Sequence, residues 1–259
     1  MALKDKTQRF GTTEISDPCF HLELFDNLYE GNLIITKRLT DKLIEKIIEN
    51  KEKIILHCTV TGMGGSKIEP LVPKKEWSHD QVKKLIEKGF PVEQIVLRVD
   101  PIIPTEKGTE TALSVIDLFK DLSIKRVRIS FLDAYSHVLE RFKENMINPP
   151  YETFNAPESL RIASCQKLLK KCNEIGAVLE MCGEPSFKAN GILMQTLPCL
   201  SQKDVDILGL TDKIKLEGNK DARKLCGCSS NKTELIKDKP HQCNNKCLYC
   251  FWRTDKKQE

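Results

Sequence analysis

Three cysteines near the C-terminus, Cys243, Cys247 and Cys250, stand at C-x-x-x-C-x-x-C spacing, with Tyr249 directly before the third. A short loop of this spacing can aim three thiolates at three corners of one cubane iron–sulfur cluster. The fourth iron then has no protein ligand. An iron with an open position is a place for chemistry, because an outside group can coordinate there. Two more cysteines, Cys226 and Cys228, lie just upstream as a C-x-C pair. They can ligate a second iron–sulfur cluster, cap the first, or act as a redox pair. The alternative is a structural zinc site drawing on both groups, but zinc ribbons usually pair two C-x-x-C knuckles, which this spacing lacks.

The chain holds eleven cysteines in 259 residues. The count is odd, and the start Met1-Ala2-Leu3-Lys4-Asp5-Lys6 has no signal-peptide core. Reduced thiols, metal ligation and a cytoplasmic location are therefore expected, rather than a disulfide framework. Cys165 and Cys172 fall on an apolar helix stripe with Ile162, Leu168, Leu169 and Ile175, and read as core. Cys58 lies on an apolar strand face. Cys182 and Cys199 read as lone core residues, or else complete a second site with Cys226 and Cys228. With 40% hydrophobic and 30% charged residues and no membrane-length apolar run, the chain reads as a soluble globular protein. A net charge of +4 admits an anionic partner without requiring one.

The elements that must position these thiols alternate between strand and helix. Strands are expected at 54–61, 95–100, 127–133 and 177–184. Helices are expected after Thr40, from Ser78 with Gln81 as a capping box, at 109–122, and at 155–175 with Asn155 as cap. This is β/α alternation, hence a full or partial β/α barrel of TIM type over 1–218. Residues 219–259 lose periodicity and read as a cysteine-rich cluster-binding segment packed on the barrel.

Each strand has two unlike faces. Leu56, Leu97 and Ile129 lie on apolar faces; His57, Arg98, Arg128 and Glu180 lie on polar ones. Helix-covered parallel strands are usually apolar on both faces. The pattern predicts an open polar chamber inside the barrel, with Thr61, Asp100, Asp133 and Glu184 at its C-terminal, working end. His57, Arg98 and Arg128 are candidate ligands for an anionic substrate or a cofactor carboxylate; an internal salt bridge such as Arg98–Glu180 is the alternative. Gly62-Met63-Gly64-Gly65-Ser66-Lys67 lacks phosphate-loop spacing and reads as a glycine turn that lets backbone approach a ligand.

The cysteine loop with Tyr249 resembles that of radical S-adenosylmethionine enzymes. The wider chain resembles an uncharacterised bacterial family with a C-terminal cysteine motif, loosely akin to spore photoproduct lyase. The resembling segments are Thr13-Glu14-Ile15-Ser16-Asp17-Pro18, Thr59-Val60-Thr61-Gly62 with Ile68-Glu69-Pro70, Arg98-Val99-Asp100-Pro101-Ile102, Ile129-Ser130-Phe131-Leu132-Asp133, Met181-Cys182-Gly183-Glu184 and Cys226-Gly227-Cys228. The resemblance implies a [4Fe–4S] cluster on Cys243, Cys247 and Cys250, S-adenosylmethionine on its open iron, and a 5′-deoxyadenosyl radical that takes hydrogen from substrate. It places Tyr249 near the adenine and Glu184 near the cofactor's amino group. It implies an electron donor such as flavodoxin or ferredoxin, and a nucleic acid or nucleotide substrate. One departure stands out: in most such enzymes the cysteine loop follows the first barrel strand. Two rival readings are an iron–sulfur redox or sensor protein that cleaves nothing, and a zinc-stabilised nucleic-acid-binding module.

Overall fold

The computed structural model describes residues 8–218, 226–237 and 243–253. In chain order it contains β1 (Phe10–Thr12), β2 (Gly31–Thr36), α1 (Asp41–Glu49), β3 (Ile54–Thr59), α2 (Lys75–Glu87), β4 (Ile95–Ile102), α3 (Glu106–Leu118), β5 (Arg126–Phe131), α4 (Ser136–Glu144), α5 (Glu158–Glu174), β6 (Val178–Met181), a hairpin of β7 (Phe187–Ala189) and β8 (Ile192–Met194), α6 (Gln202–Ile207) and β9 (Lys232–Glu234). Seven strands form one parallel sheet in the order β6-β5-β4-β3-β2-β1-β9. The first and last strands of the chain are therefore neighbours, paired Phe10 to Lys232 and Thr12 to Glu234. Among the described residues β6 and β9 do not pair, so the sheet is a partial barrel with an open seam. Beyond β6 only one further bridge forms, from Met181 to Thr196. No helix among the described residues is long and apolar enough to cross a membrane.

The two strand faces bury differently. Leu56, Leu97 and Ile129 pack in one core with Ile44, Val82, Val115 and Leu168 of the covering helices. On the opposite, inner face, Phe10, Leu33 and Ile55 pack against Leu200, Val205, Leu210 and Ile214. The inner face is thus not an open chamber along its length. The segment around α6 fills its lower part, because the apolar patch of Phe10, Leu33 and Ile55 would otherwise face water.

The polar residues of β5 and β6 hold this plug. Arg126 Nε donates to Glu180 Oε1 at 2.9 Å and its NH1 to Asp204 Oδ1 at 2.6 Å. Arg128 NH2 reaches Glu180 Oε2 at 2.5 Å, and its NH1 donates to the carbonyls of Pro198 at 2.9 Å and Cys199 at 2.5 Å. Asp204 Oδ2 also accepts from Ser201 N at 2.7 Å, capping α6. Burial alone would raise the Glu180 pKa, but the two guanidiniums hold its carboxyl below the usual range. The internal salt bridge on Glu180 is made by Arg126 and Arg128; Arg98 pairs instead with Asp100.

Several element boundaries differ from the sequence expectation for local reasons. α5 starts at Glu158 rather than Asn155, because Pro157 drives the preceding residue out of the helical region. Asn155 instead turns to Asp133. α2 begins at Lys75, just past Pro73, so Ser78 lies inside the helix, buried, with its hydroxyl on the Lys74 carbonyl. α3 is capped by Thr105, which accepts from Gly108 N; Thr109 is internal and bonds Ser164 at 2.8 Å. Thr40 caps α1 as expected, accepting from Leu43 N. The expected boundary at 218/219 meets residues 219–225, which lie outside the described residues, and β9 beyond it belongs to the main sheet.

Removing the shared carboxylate leaves two buried guanidiniums facing each other. Glu180→Ala is expected to cost about 3–5 kcal/mol of stability, read by denaturant unfolding. His57 is fully buried with neither ring nitrogen bonded. Burial, then Arg128 and Arg98, holds its pKa well below 6.5. The unfolded imidazole gains a proton below about pH 6.5 while the folded one does not, so acid favours unfolding. Between about pH 7.5 and about pH 5 the unfolding midpoint of the native protein should fall more steeply than that of His57→Leu.

Candidate functional site

The inner face opens above the plug into a cavity of about 600 Å³ at the C-terminal ends of the strands. That is the size of a small-molecule pocket. Its wall includes Asp17 after β1, Lys37 after β2, Arg98 and Asp100 of β4, Asp133 after β5 and Glu184 after β6. Cys243, Cys247, Tyr249 and Cys250 line it too, as do Cys182, Cys199, Cys226 and Cys228. Parallel pairing explains how a C-terminal loop comes to lie here. β9 runs beside β1 in the same direction, so the chain leaving β9 emerges at the same end as the loop after β1.

The cysteine loop is fastened from three sides. Asn245 Nδ2 donates to Asp17 Oδ2 at 2.9 Å. Asp17 is itself buried, accepting from Thr36 Oγ1 at 2.7 Å and Lys37 N at 2.8 Å. Leu248 N donates to the Ile68 carbonyl at 2.9 Å, and Tyr249 OH donates to Glu69. Glu69 is fully buried, with Lys37 Nζ at 3.0 Å and Thr61 Oγ1 at 2.5 Å. From α4, buried Arg141 donates to the Leu248 carbonyl at 2.8 Å, the Cys250 carbonyl at 2.5 Å and the Arg253 carbonyl. Lys246 takes a left-handed φ of 51° between the first two cysteines.

Cys243, Cys247 and Cys250 of this loop line the cavity. Burial pushes the Cys247 thiol up to about 12, with Lys37 pulling the other way. Burial also raises Cys250. Without a cation Cys247 and Cys250 therefore stay thiols; coordination is what would make them thiolates. Cys19 lies behind the loop, hydrogen-bonded to Asp17 and outside the cavity lining. Tyr135, Phe251 and Trp252 lie at the cavity, with Phe251 4.7 Å from the Tyr135 ring and 5.1 Å from Trp252.

Of the expected site residues, Arg98, Glu184 and Tyr249 line the cavity together with the five cysteines Cys226, Cys228, Cys243, Cys247 and Cys250. His57 and Arg128 do not reach it; both lie on the inner face below, under the plug. The glycine turn also stays outside the lining. A side chain at Gly64 would strike the Pro73 carbonyl, so the turn serves close backbone packing and brings Gly65 N to the Glu69 carbonyl at 2.9 Å. Glu184 has a strongly raised pKa. Burial first, then Asp133 and Asp100, pushes it to about 8, although Phe131 N donates to Oε1 at 2.8 Å. Its Oε2 is buried without a hydrogen bond, with Arg161 NH1 4.0 Å away.

Arg141, Asp17 and the Lys37–Glu69 pair went unread as site residues in the sequence. Arg141 does leave a signal, since it lies on the same helical stripe as buried Val138 and Phe142. A charged residue on an apolar stripe has a buried partner to meet.

The profile of a family described as a domain of unknown function (DUF1848) matches residues 31–252. No curated protein matches the chain. Among solved structures, a lysine/ornithine decarboxylase complexed with cadaverine from Vibrio vulnificus is similar over 62% of this chain and 44% of its own length, at 13% identity and a TM-score of 0.35. The chain spans less than half of that protein, and a likeness at this level carries no argument for fold or chemistry.

The Arg141 contacts predict that Arg141→Ala frees the loop while the sheet stays intact. Amide exchange over 243–253 should rise by at least tenfold, the loss of about 1.4 kcal/mol or more of local protection, with exchange over β3–β5 unchanged.

Proposed function

The chain belongs to the DUF1848 family, a domain of unknown function, and on that premise we propose that it is a radical S-adenosylmethionine-type enzyme whose cluster site is Cys243, Cys247 and Cys250. One observation carries the reading. Three cysteines of a single tight loop line a walled cavity at the C-terminal ends of a parallel sheet, while Cys182 and Cys199 of the same cavity contact each other. The donor set fits a cubane cluster with one open iron. Such a cluster supplies one electron for reductive cleavage of the S-adenosylmethionine sulfonium, giving methionine and a 5′-deoxyadenosyl radical that takes a hydrogen atom from substrate.

The chain's own groups suit that task. Glu184 Oε2 is a buried acceptor without a hydrogen bond, and an ammonium group placed there satisfies it and draws its raised pKa back down. The Arg98–Asp100 pair offers a cation beside the same wall for a carboxylate. Tyr249, held on Glu69, fixes the loop between the second and third cysteines. Tyr135, Phe251 and Trp252 give a stacking surface for a nucleobase, which favours a nucleotide or nucleic acid substrate. An electron donor of the flavodoxin or ferredoxin class would reduce the cluster. A lined cavity with a strained carboxyl favours an enzyme over an electron-transfer or sensor protein.

Anaerobically purified protein should carry about four irons with matching sulfide on this loop. Cys247→Ala should lose that iron and all 5′-deoxyadenosine formation. Cys165→Ala, which only opens a small space in the buried face of α5, should keep both. Equal loss in the two variants, or zinc in place of iron on the loop, would reject the proposal.

A further inference from the structure

The second group of cysteines has a geometry of its own. Cys182 Sγ and Cys199 Sγ are 3.3 Å apart. Cys226 lies beside Cys182 and Cys228, and Cys228 beside Cys199. The four thiols are thus near neighbours, with Cys182 and Cys199 in direct contact. They come from three distant stretches of chain. Cys182 directly follows β6, Cys199 follows the bridge at Thr196, and Cys226 and Cys228 precede β9. The group therefore lies across the open seam, joining the two sheet edges that no strand pairing joins.

Four thiols gathered by chance in one place are improbable as packing, since core cysteines normally meet carbon. Two chemistries explain such a group: disulfide bonding or a tetrathiolate metal centre. Here each cysteine has two cysteine neighbours, which favours a shared centre over isolated pairs. The spacing also selects the kind of centre. A zinc ion at 2.3 Å from each sulfur sets them about 3.8 Å apart, an expansion of about half an ångström from the Cys182–Cys199 contact. A cubane binds each thiolate at a different corner iron and needs them much farther apart. As placed, Cys182 and Cys199 touch instead of flanking an ion, and no three Cys, His, Asp or Glu among the described residues stand ready-made around one. The small outward shift is what ion binding would supply.

We propose that Cys182, Cys199, Cys226 and Cys228 bind one thiophilic divalent ion, zinc, in tetrahedral coordination, and that this centre staples the open seam of the barrel. On binding, four S–H bonds break, four protons pass to solvent and four Zn–S bonds form, with no change of oxidation state. The centre then carries a net charge of −2 by this count, next to Lys232, whose Nζ is 3.5 Å from Cys228 Sγ. The site is separate from the C-terminal loop and does not depend on the cluster proposed there. Its position, closing one wall of the cavity, gives it a structural role.

The test uses the full chain carrying Cys243→Ala, Cys247→Ala and Cys250→Ala together, which leaves the four-cysteine group intact. Metal analysis of this protein, purified under reducing conditions, should find about one zinc per chain and no labile sulfide. After chelator stripping, cobalt(II) should give the strong visible absorption and sulfur-to-metal charge-transfer bands of a tetrathiolate site. Adding Cys226→Ser and Cys228→Ser should abolish both. Should that variant fail to fold, the cobalt spectrum of the three-alanine protein alone decides. Overturning results are a protein free of metal that gives no tetrathiolate cobalt spectrum, a Cys182–Cys199 disulfide under reducing conditions, or iron with labile sulfide on the four-cysteine group. In the intact protein zinc reads this site and sulfide-bearing iron reads the loop, so the two proposals fail separately.

Discussion

Two arginines two residues apart on β5 share one carboxylate on β6, and the rest of the inner architecture depends on that arrangement. Arg126 and Arg128 point to the same face because strand side chains alternate. Buried guanidiniums are tolerable only when paired and fully hydrogen-bonded. Glu180 serves both, Asp204 completes Arg126, and the Pro198 and Cys199 carbonyls complete Arg128. The network satisfies its charges only if residues 198–204 sit in one register on the sheet. It thereby fixes the plug, the floor of the cavity and the backbone of Cys199 in a single step.

The upper half of the molecule obeys a different constraint, set by topology. Placing the last strand beside the first, in parallel, brings the segments that follow both to one end of the sheet. The loop after β1 supplies Asp17 and the loop after β9 leads to Asn245, and the two meet in a buried hydrogen bond. A cysteine motif that is late in sequence is thus early in space, adjacent to the position a first-strand loop occupies. Arg141 of α4 then holds the loop by its backbone carbonyls, and the cysteines line the cavity.

Much of this was legible in the residues. The alternation at 54–59, 95–100 and 126–131 separates the helix-facing set from the inner set, and the sheet buries them accordingly. What the alternation does not tell is what covers the inner face. Leu200, Val205, Leu210 and Ile214 come from a stretch with only six helical residues, too short to show helical periodicity. His57 and Arg128 read as open-chamber groups for that reason. β1 and β9 are three residues each and owe their pairing to neighbours rather than to local propensity. The run Gly31-Asn32-Leu33-Ile34-Ile35-Thr36, by contrast, carried a strand signal that was simply available. Within the cavity the cysteine spacing announced the loop, whereas for Cys182 and Cys199, seventeen residues apart, a shared site with Cys226 and Cys228 was one of two readings, and the fold brings the first two into contact.

The cluster proposed for the C-terminal loop requires one iron open to an outside ligand. Paramagnetic resonance of the reduced protein, recorded with and without S-adenosylmethionine, addresses that vacancy directly. An open iron predicts a [4Fe–4S]⁺ spectrum whose g-values shift when S-adenosylmethionine coordinates. A cluster spectrum indifferent to S-adenosylmethionine, accompanied by no 5′-deoxyadenosine, would contradict the account and leave a closed electron-transfer centre in its place.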